Sequence, residues 1–245
     1  MEVLAISSSR VGSGGFLENA LPSIKEFIPK GNHQIAFVPF ASVQRNYDEY
    51  GDLVKKALES LPNSIEIVKP NAAKKTIDQS DVIIVGGGNT FKLLHDIYSL
   101  DLFDLIRNKV QSGAAYIGWS AGANIAGKSI STTNDMPIIQ PRSFTAFGFL
   151  PFQVNPHYHN LSIDGYNGET RDQRLEEFVI LNPKIPVVGL PEGTALKLSN
   201  DTLEFIGEKD GVLYQTDMNK MPLKKTISQG QDLSLLYPGN PNTAM

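Results

Sequence analysis

Val82-Ile-Ile-Val85 runs straight into Gly86-Gly87-Gly88 and then into a stretch with apolar residues at helical spacing, an order of parts that recurs through the first half of the chain. Short apolar, β-branched runs at residues 3–6, 35–40, 65–68, 82–85 and 116–119 have the composition of buried strands. Residues 16–28, 48–61, 90–98 and 102–111 carry apolar positions three and four apart, the period of a helix packed on one face. Strands apolar on both faces, alternating with helices, imply a parallel sheet covered on both sides. The expected fold is therefore α/β, a mostly parallel sheet with helices on both faces. In such folds ligands bind beyond the carboxyl ends of the strands, so chemistry is to be sought in the residues that follow each strand.

The second half is less regular. Residues 132–140 and 153–159 are rich in Pro and Asn and suggest strand-and-loop segments, whereas 169–181 has the pattern of a charged amphipathic helix. Residues 187–190, 195–199, 203–206 and 212–214 have the character of short strands, the later ones meandering. No internal repeat or linker divides the chain. Its 245 residues suit one α/β domain spanning 1–245, with a polar, frayed tail from about residue 237.

Charge and composition exclude several roles. A net charge of −4, with Lys and Arg scattered, offers no electrostatic reason to bind nucleic acid or an anionic membrane. There is no cysteine, which removes disulfides, thiolate nucleophiles and cysteine-ligated zinc, and no His/carboxylate spacing suggests a metal site. The first residues read as a strand rather than a signal peptide, and no run reaches the roughly 18 apolar residues of a spanning helix. A soluble cytoplasmic protein without metal or organic cofactor is expected.

Tyr116-Ile-Gly-Trp-Ser-Ala-Gly-Ala-Asn124 places Ser120 between a strand and a small-residue helix, with Gly118 and Gly122 two residues away on either side. A serine on such a turn is either a helix cap or a nucleophile raised above the sheet. At a helix N-terminus, free amides favour developing negative charge, and the Ala121 amide is one natural oxyanion donor. The glycines at 86–88 end another strand; Gly88 supplies a second such amide, or else the loop is a flexible or phosphate-binding turn. The loop lacks the lysine and spacing of a P-loop, and Leu17 breaks the dinucleotide pattern at Gly12-Ser13-Gly14-Gly15. Two glycine turns, one of them carrying a serine, favour acyl transfer over nucleotide binding.

A serine nucleophile needs a base, most often histidine. Of the four histidines, His33 precedes a strand, at the wrong end of the sheet, and His95 lies inside a helix. His157 and His159 fall in Asn155-Pro-His-Tyr-His-Asn160, where alternation lets only one face the site; His157, stiffened by Pro156, is favoured. The acid that orients the base is Glu192 or Asp135. Glu192 directly follows a strand, which favours it, whereas Asp135 is also suited to a turn.

Taken together, these segments resemble the peptidase E family, aspartyl dipeptidases of the glutamine-amidotransferase-like α/β superfamily. The likeness rests on residues 85–91 (Val-Gly-Gly-Gly-Asn-Thr-Phe), 116–124, 132–137 (Thr-Thr-Asn-Asp-Met-Pro), 155–157 (Asn-Pro-His), 168–171 (Gly-Glu-Thr-Arg) and 189–193 (Gly-Leu-Pro-Glu-Gly), in order over about residues 1–205. It implies a flavodoxin-like, class I glutamine-amidotransferase-like fold and a homodimer. It further implies Ser120 as nucleophile, His157 as base, Glu192 as orienter, and an oxyanion hole from the amides of Gly88 and Ala121. Arg171 falls where the family binds the substrate aspartate side chain, and a planar guanidinium suits a carboxylate; the alternative for Arg171 is a surface ion pair among Glu169, Asp172 and Arg174. His159 and the last forty or so residues depart from the family pattern.

The expected activity is hydrolysis of dipeptides, and of some short peptides, that begin with aspartate. Three competitors share part of the signal. They are a cyanophycinase-like peptidase, an α/β esterase, and a non-enzymatic superfamily member that binds a small ligand. Esterases of that kind place the acid before the histidine, usually with the histidine near the C-terminus. No histidine follows residue 159, although Asp135 before His157 would satisfy the order.

Overall fold

The computed structural model describes residues 1–161, 164, 165 and 167–237. The tail expected from residue 237 therefore falls, from 238 onward, outside the described residues. The first half runs β1 (Val3–Ile6), α1 (Leu21–Phe27), β2 (Gln34–Val38), α2 (Tyr47–Ala57), β3 (Ser64–Ile67), α3 (Ala73–Asp78), β4 (Val82–Val85), α4 (Thr90–Ser99), α5 (Phe103–Gln111), β5 (Ala115–Trp119) and α6 (Ala121–Asn124). The second half runs β6 (Gln153–Pro156), α7 (Arg171–Leu181), β7 (Val187–Leu190), β8 (Thr194–Ser199), β9 (Thr202–Gly207), β10 (Gly211–Thr216) and β11 (Pro222–Ile227).

Seven strands form the main sheet in the order β3-β2-β4-β5-β1-β8-β9. The first five pair in parallel, while β8 and then β9 add antiparallel at the β1 edge. Successive residues of a strand point to opposite faces. In β1, Val3 and Ala5 join one apolar cluster and Leu4 and Ile6 the other. All four residues of β4 are fully buried, and each such aliphatic side chain contributes roughly 1.5–3 kcal/mol on leaving water. This is the α/β fold expected, with a mostly parallel sheet between two apolar layers.

A second sheet, β11-β10-β7-β6, was not foreseen. Within it β6 and β7 are parallel, and Pro156 pairs with Leu190 at their carboxyl ends. The link from β7 to β8 is only residues 191–193, so the chain steps from the second sheet to the main one across three residues. Strand β11 escaped notice because Lys224 and Lys225 lie exposed on a sheet edge, where no burial pattern is imposed. The strand-and-loop character expected of 132–140 gives way to irregular chain, and Met136 and Ile138 are exposed. Helix α1 starts later than its apolar pattern, because Leu17 takes φ 58° and Pro22 suits only a first helical turn. Helix α7 starts at Arg171 under a capping box made by Thr170 and Gln173. No helix among the described residues is long and apolar enough to cross a membrane.

Candidate active site

Strand β5 ends at Trp119, and the next residue turns the chain sharply. Ser120 has φ 53° and ψ −113°, a conformation that strains a residue bearing a Cβ by about 1–3 kcal/mol. Its surroundings hold it there. The Ser120 N–H donates to the Ile6 carbonyl at 3.1 Å, and its carbonyl accepts from Asn124 N–H at 2.9 Å. A Cβ at Gly122 would collide with the carbonyl of Val85, so only glycine lets α6 sit this close to β4. Asn124 Nδ2 reaches out of α6 to the Val154 carbonyl at 2.7 Å, tying the turn to β6.

His157 is the first residue after β6, and it too has positive φ, 53°. Its backbone N–H donates to Ser7 Oγ at 3.0 Å. The ring points back over the main sheet, with Nε2 3.0 Å from Ser120 Oγ and Nδ1 2.9 Å from Glu192 Oε1. A carboxylate can only accept, so the Nδ1 proton belongs to the Glu192 contact. That leaves Nε2 to accept from the serine hydroxyl. Glu192 occupies the three-residue link between β7 and β8. The His157 and Glu192 side chains are 39% and 45% exposed, so solvent reaches the pair and screens it.

The loop after β4 packs directly on the turn at Ser120. A Cβ at Gly87 would lie 2.8 Å from that of Ser120, and Gly88 has φ +140° against the Ala41 carbonyl, where a side chain would clash. Among the described residues, neither the Gly88 nor the Ala121 N–H has an intramolecular acceptor. The Gly87 carbonyl accepts from Tyr50 Oη at 3.1 Å, and Tyr50 accepts in turn from Trp119 Nε1 at 3.1 Å. Burial pushes the Tyr50 hydroxyl up to about 12, so it stays a neutral donor at working pH. An open cleft of about 580 Å³ covers Ser120 and His157, and Arg10, Arg45 and Asn89 stand in its lining.

The remaining candidates separate clearly. Asp135 accepts from the Thr90 N–H and hydroxyl at 2.7 and 2.6 Å, which makes it a cap on α4 rather than a partner of His157. Of the two candidate acids, Glu192 is the one hydrogen-bonded to His157, and Asp135 bonds Thr90 instead. His33 sits near Asp81, His95 bonds Asp96, and His159 is exposed. Arg171 is not in the cleft lining. It lies half-buried at the start of α7 near Tyr158, and among the described residues its Nη1 has no hydrogen-bond partner. Burial, with Arg174 nearby, lowers its pKa from the usual range.

Sequence reasoning missed Ser7, Tyr50, Arg10 and Arg45. Ser7 is the residue directly after β1, where the strand-end rule could have pointed to it. Nothing local marks the other three, which the fold brings in from loops and a helix.

A serine, a histidine and a carboxylate joined by hydrogen bonds at strand ends form an arrangement also found in hydrolytic enzymes of the α/β class. The comparisons with known proteins agree with that class. Peptidase family S51 matches residues 3–206, and the chain belongs to this family. It is 46% identical to peptidase E of Shewanella amazonensis over 237 residues, 96% of this chain and 99% of that protein. It is 47% identical to peptidase E of Actinobacillus pleuropneumoniae over 221 residues, 88% and 93% of the two chains. The crystal structure of a peptidase E protein from Listeria monocytogenes superposes with a TM-score of 0.63 at 22% identity, over 85% of this chain and 98% of that one. A peptidase from an acI-B1 actinobacterium has the same TM-score at 16% identity, over 95% and 96%. These last two likenesses speak for the fold.

Proposed function

We propose that this peptidase is a serine-type dipeptidase that removes aspartate from the amino end of dipeptides and short peptides, through Ser120, His157 and Glu192. The observation that carries the reading is the unbroken hydrogen-bond chain from Ser120 Oγ to Glu192 Oε1 through His157, at 3.0 and 2.9 Å. His157 Nε2 takes the Ser120 proton as Oγ attacks the carbonyl of the aspartyl residue. The Gly88 and Ala121 amides face the oxygen as it becomes negative, and each such donor is worth about 3–4 kcal/mol of barrier. Glu192 holds the imidazolium through Nδ1–H. His157 then passes the proton to the leaving amine, and a water activated by the same nitrogen releases aspartate and frees Ser120.

Selectivity for an acidic side chain needs a cation that a neutral substrate would leave unpaired. Arg171 remains the proposed one, and its Nη1, which has no partner among the described residues, is consistent with a group awaiting an acceptor. The presence of Arg10 and Arg45 in the cleft lining favours a second version, in which one of them meets the aspartate. Digestion of Asp-Leu, Glu-Leu, Asn-Leu and Ala-Leu by the unaltered chain and by Arg171→Ala, Arg10→Ala and Arg45→Ala separates the two. Arg171→Ala is expected to lose the preference for Asp-Leu selectively. Selective loss in Arg10→Ala or Arg45→Ala would move the role into the cleft, and a wild-type chain indifferent to aspartate would remove the specificity altogether.

A further inference from the structure

The carboxyl end of β1 touches every segment that carries a member of the proposed catalytic group. The Ile6 carbonyl accepts the Ser120 N–H at 3.1 Å, and the Ser7 N–H donates to the Thr194 carbonyl, two residues past Glu192, at 2.9 Å. The Ser7 hydroxyl accepts the His157 N–H at 3.0 Å and donates to the Leu190 carbonyl, two residues before Glu192, at 2.7 Å. Ser7 is fully buried, so water cannot substitute for any of these bonds. One hydroxyl offers one proton and accepts in return, and here both capacities are used on the two loops that leave the second sheet.

We propose that Ser7 is the positioning residue of this site, its hydroxyl holding the His157 and Glu192 loops in register with the turn at Ser120. The inference rests on the catalytic reading of Ser120, His157 and Glu192. Its physical basis is the backbone of His157. A histidine at φ 53° is uncommon and strained, and such a conformation persists only where its surroundings over-determine it. The Ser7 acceptor is the hydrogen bond made by the strained residue's own amide. Without it, the part-buried His157 N–H loses its acceptor, and rotation toward ordinary φ carries the imidazole away from Ser120 Oγ. Because Ser7 follows Ile6, and Ile6 pairs with Trp119 in the parallel ladder, Ser7 stands level with Ser120 on the neighbouring strand. The main sheet thus supplies one fixed point for both serines. Displacements of about 1 Å at a reacting pair can cost on the order of a hundredfold in rate, so the hydroxyl need not touch substrate to matter.

The test compares Ser7→Ala with Ser234→Ala. Ser234 is also a buried serine whose hydroxyl accepts a backbone amide, from Leu203 at 2.9 Å. It lies outside the catalytic group, so its substitution removes a comparable buried amide-to-hydroxyl bond away from the site, without the second bond that Ser7 donates to the Leu190 carbonyl. Two quantities are read on folded protein, checked by thermal melting. One is the rate at which a fluorophosphonate labels Ser120, and the other is kcat and KM on Asp-Leu. In Ser7→Ala both the labelling rate and kcat are expected to fall about ten- to a hundredfold, with KM within about twofold. Ser234→Ala is expected to lower the melting temperature similarly while labelling and kcat stay at wild-type values. Wild-type labelling and kcat in folded Ser7→Ala would overturn the inference, as would an equal kinetic loss in Ser234→Ala. Should Ser7→Ala fail to fold, Ser7→Thr, which keeps the hydroxyl, is expected to label at close to the wild-type rate, and a folded Ser7→Thr that labels as slowly as a protein lacking the bond would sink it. If the unaltered chain is not labelled at Ser120, the catalytic reading itself falls and takes the inference with it. If it is labelled and Ser7→Ala matches it, only the role of Ser7 is lost.

Discussion

The two sheets contribute to the site in different ways. The main sheet supplies Ser120 and the two amide-bearing turns from the ends of adjacent parallel strands, β4 and β5, whose residues are buried on both faces. The second sheet supplies His157 and Glu192 from the ends of β6 and from the short link leaving β7. On one side a strained Ser120 is held by a dense core and by close backbone neighbours. On the other, two partly exposed side chains hang from loop positions, and their alignment depends on a few hydrogen bonds. In the proposed mechanism the nucleophile is thus held by packing and the base by tethers.

Four experiments probe that contrast. Ser120→Ala removes the only nucleophile in the proposal, and its kcat on Asp-Leu should fall by about 10⁴-fold or more with the melting temperature nearly unchanged; appreciable residual turnover in a clean preparation would refute the assignment. Glu192→Ala should cost about 10³–10⁴-fold, whereas Asp135→Ala should act mainly on stability by removing the acceptor of the Thr90 N–H and hydroxyl at the first turn of α4. A reversed ranking in kcat would return the orienting role to Asp135. Gly88→Ala forces a Cβ against the Ala41 carbonyl and displaces one amide, so kcat should drop by about 10²–10³-fold with KM little altered. A parallel rise in KM would mean instead that the loop binds substrate in its ground state.

The smallest effect is expected behind the site. Asp172 accepts from Tyr158 Oη and from Lys224 Nζ, both at 2.6 Å, on the residue next to His157. Burial alone would raise its carboxyl, but the hydrogen bonds from Lys224 and Tyr158 outweigh that and hold it below the usual range. Asp172→Asn should therefore lower the melting temperature at neutral pH by about 2–8 °C. A group with a depressed folded pKa contributes its stability above the unfolded value, near 4, and loses it as pH falls through the folded one. The gap between the two proteins should close in acid, and a gap that persists there would show that the charge of Asp172 is not what stabilises this corner.

Much of the first half was legible because burial on both faces leaves a strong local trace. The runs at 82–85 and 116–119 could be little other than interior strands, and each was followed by glycines where the backbone must turn. Ser120, Gly88 and Ala121 could be proposed as candidates from those turns alone. His157 and Glu192 were legible more weakly, as residues just past apolar runs. The second sheet was missed because its outer strand β11 is an exposed, lysine-bearing edge, and an edge strand is selected by its pairing partner rather than by its own pattern.

The chain's own order of residues determined the α/β class, the positions of the two glycine turns and the absence of any thiol, since periodicity, glycine and composition are local properties. Only the tertiary structure decided that Glu192 rather than Asp135 meets the imidazole, that Arg171 lies outside the cleft lining while Arg10 and Arg45 stand within it, and that a buried serine at position 7 joins the loops. Those outcomes depend on distances between residues as many as 183 positions apart. Such distances are set by strand order and sheet pairing, which no local pattern encodes.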